Sequence, residues 1–166
     1  MKLRWWYGIA VNLVLAALVI SGAVFYTAYS RSKNQFLEIT DANSGKLYRK
    51  WRLKETGEFA IEFIHSVHQS PVKETYKIEN NMIKPVAVRF FSFGAGMQSD
   101  LEEGQVLSRE GDALLITGFN NSFEELNYIV GTVSDHLLLI KDETISLQKL
   151  CGKNAHITVR FHKGRK

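Results

Sequence analysis

The sequence predicts an all-β domain, an antiparallel β-sandwich or partly open barrel, preceded by one N-terminal transmembrane helix. An apolar run over residues 8–28 points to the helix, and period-two alternation of apolar and polar residues downstream points to strands. Turn signals every eight to twelve residues or so divide that alternation into many short strands. The run holds twenty-one residues. At about 1.5 Å per residue it reaches roughly 31 Å, close to the hydrocarbon thickness of a bilayer. Lys2 and Arg4 form a basic tip, and Trp5, Trp6 and Tyr7 before the run and Phe25, Tyr26 and Tyr29 around its end suit the two interfaces. Ser21-Gly22-Ala23 offers a signal-peptide cut site as the competing reading, but apolar and aromatic residues continue past it, so an uncleaved anchor is expected. The expected organisation is therefore an anchor or signal segment over 1–30 and one β-rich domain over 31–166. That implies a single-pass protein of the cell membrane with its C-terminal domain extracytoplasmic.

Residues 36–39 lead into a turn at 41–45, after which Leu47, Arg49, Trp51 and Leu53 alternate with Tyr48, Lys50 and Arg52 in the manner of a hairpin. Phe59, Ile61, Phe63 and His65 share one face of a strand over 58–66, with Ala60, Glu62 and Ile64 on the other. After a loop at 67–71, Val72, Glu74, Tyr76 and Ile78 alternate with Lys73, Thr75, Lys77 and Glu79, and Asn80-Asn81 marks the next turn. A long strand is expected over 82–93, where Pro85 lacks an amide hydrogen and so requires an edge or a bulge. Strands at 113–117, 136–140, 144–147 and 156–162 bring the number to eight or nine. Ser122-Phe123-Glu124-Glu125 has the form of a capping box, which leaves the segment through Val130 open between helix and strand.

About 135 residues after the anchor suffice for one hydrophobic core and do not suggest two. The formal charge of +4 is spread along the chain, without a basic helix or a stacking-aromatic module, so nucleic acid is not expected as a partner. The denser basic stretch at 46–54 suits either anionic head groups near the anchor or a solvated strand face. Cys151 is the only cysteine, which excludes an intramolecular disulfide and a thiolate metal cluster.

No catalytic constellation emerges. Ser92 lacks the first glycine of a nucleophile elbow, and Gly94-Ala95-Gly96 lacks the lysine of a P-loop and the third glycine of a dinucleotide loop. His65 and His68, with Glu74 or His136, are nitrogen and oxygen donors of the kind zinc takes, but no zinc spacing singles them out. Because His65 continues an apolar face, it is expected to be structural. Asp135 and His136 are neighbours on an expected strand and point to opposite faces, so they do not form the orienting pair of a triad. No enzyme activity, metal or cofactor is expected.

Phe63-Ile64-His65-Ser66-Val67, Pro71-Val72 with Glu74 and Tyr76, Phe91-Ser92-Phe93-Gly94-Ala95-Gly96, and Val130-Gly131 with Asp135-His136-Leu137 resemble the signature of a bacterial family, domain of unknown function 1850. The resemblance implies association with TRAP transporters of the TAXI subgroup, which pair a solute-binding protein with a large fused permease. On that basis the chain is expected to be a non-catalytic, membrane-anchored accessory or interaction protein. Its partners would be the membrane and a TAXI-type TRAP permease or its solute-binding protein. The alternatives are a small-ligand or metal-binding module and, further off, a cell-envelope hydrolase. The residues expected to contact a ligand or partner are His65, Ser66, Glu74, Gly94 and Gly96, with Asp100, Glu102 and Glu103 as an acidic patch on a basic chain. The glycines suit close backbone approach at the end of a strand.

Overall fold

Apolar residues at alternate positions can leave water together only if strands pair and bring those positions to one face, and the computed structural model shows this pairing on two sheets. It describes residues 15–26, 35–54, 56–66, 69–91 and 101–163. The chain divides into an N-terminal unit and a β domain beginning at Gln35. In the N-terminal unit a helix, α1, is described over residues 15–26.

The expected transmembrane helix is corrected here. Twelve described residues at about 1.5 Å each reach about 18 Å, against about 30 Å of hydrocarbon. Among the described residues no helix is long and apolar enough to cross a membrane. Residues 8–14, 27 and 28 of the expected span lie outside the described residues. The signal anchor, the single-pass topology and the extracytoplasmic placement drawn from it all rested on that span and lose that support.

The β domain contains β1 (Gln35–Asp41), β2 (Leu47–Arg52), β3 (Glu58–Ile64), β4 (Pro71–Glu79), β5 (Met82–Phe90), β6 (Val106–Glu110), β7 (Ala113–Thr117), β8 (Glu125–Ile129), β9 (His136–Ile140), β10 (Glu143–Ser146) and β11 (His156–Lys163), with a short helix α2 (Leu147–Cys151) between the last two strands. A four-stranded sheet runs β2-β1-β11-β8 and a seven-stranded sheet runs β10-β9-β3-β4-β5-β7-β6, every pair antiparallel. Both sheets keep two edges, so the partly open barrel gives way to two sheets sharing one core. Leu37, Ile39, Ile157 and Val159 of the smaller sheet pack with Phe59, Ile61, Leu138 and Ile140 of the larger. Arg49 on β2 bonds Glu143 on β10 at 2.8 Å, joining an edge of one sheet to an edge of the other. A smaller cluster of Val72, Phe90 and Ile116 lies on the larger sheet.

Turn chemistry explains the connections. Asn80 and Asn81 take φ of 53° and 63°, the left-handed pair of a two-residue hairpin, closing Glu79 against Met82. In the β1–β2 turn one oxygen of Asp41 accepts from the amides of Asn43 and Ser44, and the other accepts the Tyr48 hydroxyl. The Ser44 amide contributes most to holding this carboxyl at about 2. Pro85 sits at a register shift, because Tyr76 pairs with it while Thr75 pairs with Ala87, so the missing amide falls at the expected bulge.

The capping-box segment resolves as a strand. Leu126 and Val130 are buried, and β8 pairs with β11 from Glu125 to Ile129, so tertiary pairing overrides the local helix signal. Eleven strands are described rather than eight or nine. The strand over 106–110 was not legible because all of β6 is exposed and shows no inward face. The strand expected over 144–147 ends at Ser146, and the short helix α2, which the sequence does not announce, follows it with Ser146 as N-cap, its hydroxyl accepting from the Lys149 amide.

Candidate functional site

A cleft of about 480 Å³ opens at one end of β3 and β9. It is lined by the end of β3 and the turn after it, from Phe63 to Ser66 with Gln69, and by Gly131 to Ser134 with His136. Antiparallel register places Phe63 opposite His136. The two rings stack with centroids 5.0 Å apart and planes 17° from parallel.

The turn after β3 is closed by its own backbone. The His65 amide donates to Ser70 O and the Gln69 amide to His65 O, both at 2.9 Å, and the Gln69 side chain donates to Ser66 O at 2.6 Å. The opposite wall is tied to α2. Gln148 donates from its side chain to Gly131 O at 2.8 Å and from its amide to Asp135 at 2.9 Å, while the Ser146 hydroxyl bonds the other Asp135 oxygen. Asp135, in the loop just before β9, therefore braces that loop from behind, while His136, the first residue of β9, lines the cleft.

His136 is itself held. The Gly131 amide donates to its Nδ1 at 3.1 Å, and Tyr128 meets it edge-on at 6.3 Å. Burial lowers its pKa below the ordinary 6.5, against smaller opposite pulls from Asp135 and Glu74. Behind it, Glu74 lies between the sheets and accepts from Tyr128 at 2.6 Å and Tyr76 at 2.9 Å, and the two tyrosine oxygens are 2.8 Å apart. Burial raises the pKa of both phenols, with the Glu74 charge adding to it. Tyr128→Phe removes one donor from a half-buried carboxylate, and the expected cost is about 1–3 kcal/mol. Urea unfolding of the variant checks this, and an unchanged midpoint would mean the carboxylate is satisfied without Tyr128.

The structure thus brings His65 and Ser66 into the cleft together with His136. Glu74 stands one layer behind, connected through Tyr128. Gly94, Gly96 and Asp100 lie outside the described residues, as does His68. Glu102 and Glu103 are exposed in the turn before β6, where the Glu102 amide donates to Gln105 and Glu103 O accepts from Asn120. Among the described residues no group of three histidine, cysteine, aspartate or glutamate side chains is placed to hold a metal ion. Sequence reasoning missed Tyr128, Gly131, the loop after it and Gln148 as parts of this site. The signal available was that Gly131 and His136 both fall in motif segments quoted above; nothing in the sequence links Tyr128 to Glu74, 54 residues away.

The fold and cleft define the class: a two-sheet antiparallel β domain with a polar-rimmed, aromatic-floored recess at one end. The chain belongs to the family described as Domain of unknown function (DUF1850), whose model matches residues 59–147, more than half of the chain. No curated protein and no solved structure matches it. With membership comes the association implied by the resemblance, a transporter-linked partner in the general sense.

Proposed function

We propose that this protein is a non-catalytic accessory component of a TAXI-type TRAP uptake system and that the cleft is its contact site, engaging the permease or the solute-binding protein. One observation carries the reading. Two motif segments far apart in sequence, 63–66 and 131–136, are brought to face each other across one recess, both within the span the family model matches. The rim suits an interaction surface, since Val133 is 94% and Ile64 38% exposed, two apolar side chains flanking the polar opening. The non-catalytic part is supported by His136, whose Nδ1 already accepts from Gly131 and so is not available there as a general base.

The test is co-purification from cells expressing this chain with its TAXI transporter. Wild type is expected to retain the permease or the solute-binding protein. His136→Phe, which keeps a ring on Phe63 but removes the imidazole, is expected to lose most of it. Equal retention by both would place the contact elsewhere.

A further inference from the structure

We propose that the cleft takes a small molecule whose acceptor oxygen receives the Nε2–H of His136 and whose apolar body lies against Phe63 and Ile64. That is the chemistry of a small organic acid or amide, and not of a metal ion or an ammonium cation. The inference concerns the same cleft and goes beyond its reading as a contact site.

The direction of one hydrogen bond carries it. A backbone amide only donates, so the Gly131 bond at 3.1 Å makes His136 Nδ1 an acceptor without a proton. The single proton of the neutral ring then sits on Nε2, which becomes a donor, and among the described residues it has no hydrogen-bond partner. A metal ion at Nε2 would need that proton moved to Nδ1, where it would face the Gly131 N–H donor to donor. Charging the ring would create the same conflict, and burial opposes the charge as well.

The clamp is rigid where it matters. A Cβ on Gly131 would lie 2.2 Å from Ser134 O and 3.4 Å from His136 Nδ1, and Gln148 holds the Gly131 carbonyl from the other side. The described lining includes no lysine, arginine, aspartate or glutamate, so no ion of either sign meets a counter-charge there, and an acceptor oxygen is held by hydrogen bonds alone. The hydroxyls of Ser66, Thr132 and Ser134 can donate to a second acceptor oxygen. A volume of about 480 Å³ falls within the range of small-molecule sites and leaves room for a ring-sized body beside the Phe63–His136 stack.

The experiment titrates the full ¹⁵N-labelled chain with benzoate, benzamide, benzylamine and zinc chloride, following the Gly131 amide and the His136 ring signals. Saturable shifts are expected with benzoate or benzamide and none with benzylamine or zinc, and His136→Phe is expected to weaken the binding at least about tenfold. Zinc or benzylamine saturating the His136 signals would overturn the proposal, and so would undiminished binding of the acceptor probes by His136→Phe. If neither acceptor probe binds while the transporter still co-purifies through the cleft, this inference falls and the contact-site reading stands. If binding is seen but co-purification is independent of His136, the reverse holds.

Discussion

Ile61→Ala is expected to destabilise the β domain by about 2–5 kcal/mol. Ile61 is fully buried at the middle of β3, flanked in register by Leu138 on β9 and Glu74 on β4. Its side chain belongs to the core that both sheets share. Truncation removes three buried carbons and leaves a cavity whose walls belong to two hydrogen-bonded sheets, which relax little because each strand is held on both sides. For a domain of this size the melting temperature is expected to fall by roughly 10 °C or more. Calorimetry of the variant checks it. A loss below about 1 kcal/mol would mean that the sheets do not close on this residue.

Gly131→Ala is expected to have the larger effect on function. The added carbon would stand 2.2 Å from the Ser134 carbonyl oxygen, far inside contact distance, and that oxygen is backbone and cannot swing away as a side chain would. The loop must move, and moving it strains both bonds that orient it, Gly131 N–H to His136 Nδ1 and Gln148 to Gly131 O. Transporter co-purification is expected to fall about tenfold or more, equivalent to about 1.4 kcal/mol of contact free energy. The β core, anchored elsewhere, keeps most of its stability. The check is paired: retention of the partner, and the urea midpoint of the same variant. Loss of both together would mean that the loop supports the fold and is not a dedicated contact surface.

Much of the β domain was legible because its signals are local. Asn80-Asn81 announces a two-residue hairpin by tolerating positive φ, Pro85 announces a bulge by lacking an amide, and Phe59 and Ile61 announce an inward face by recurring at every second position. What failed lacked such a signal or carried a misleading one. All five residues of β6 are exposed, so burial left no imprint on its sequence. Ser122 to Glu125 has the form of a helix cap and left the segment open between helix and strand, and only the pairing of β8 with β11 decides it. The apolar run over 8–28 has the composition of a membrane span, yet among the described residues no helix is long and apolar enough to cross a membrane.

The candidate site was half legible. His65 and Ser66 stand out in the sequence as part of a motif segment at the end of an expected strand, and the structure places both in the lining of the cleft. Glu74 was grouped with them through the motif segment it shares with Tyr76, whereas strand register turns it into the space between the sheets, where Tyr76 and Tyr128 bind it. The opposing wall, Gly131 to His136, comes from β9 and the loop before it. Only the pairing of β3 with β9 brings it to Phe63, and a pairing between strands that are not consecutive leaves no trace in either segment.

The most direct measurement places a photo-crosslinking amino acid at Val133, the exposed apolar side chain on the rim of the cleft, and at Glu110, an exposed control at the end of edge strand β6. Irradiation in cells carrying the cognate TAXI transporter is expected to link position 133 to the permease or the solute-binding protein, with position 110 giving little product. Crosslinking from position 110 with none from 133 would contradict the account, since the partner would then approach the sheet edge and leave the cleft untouched.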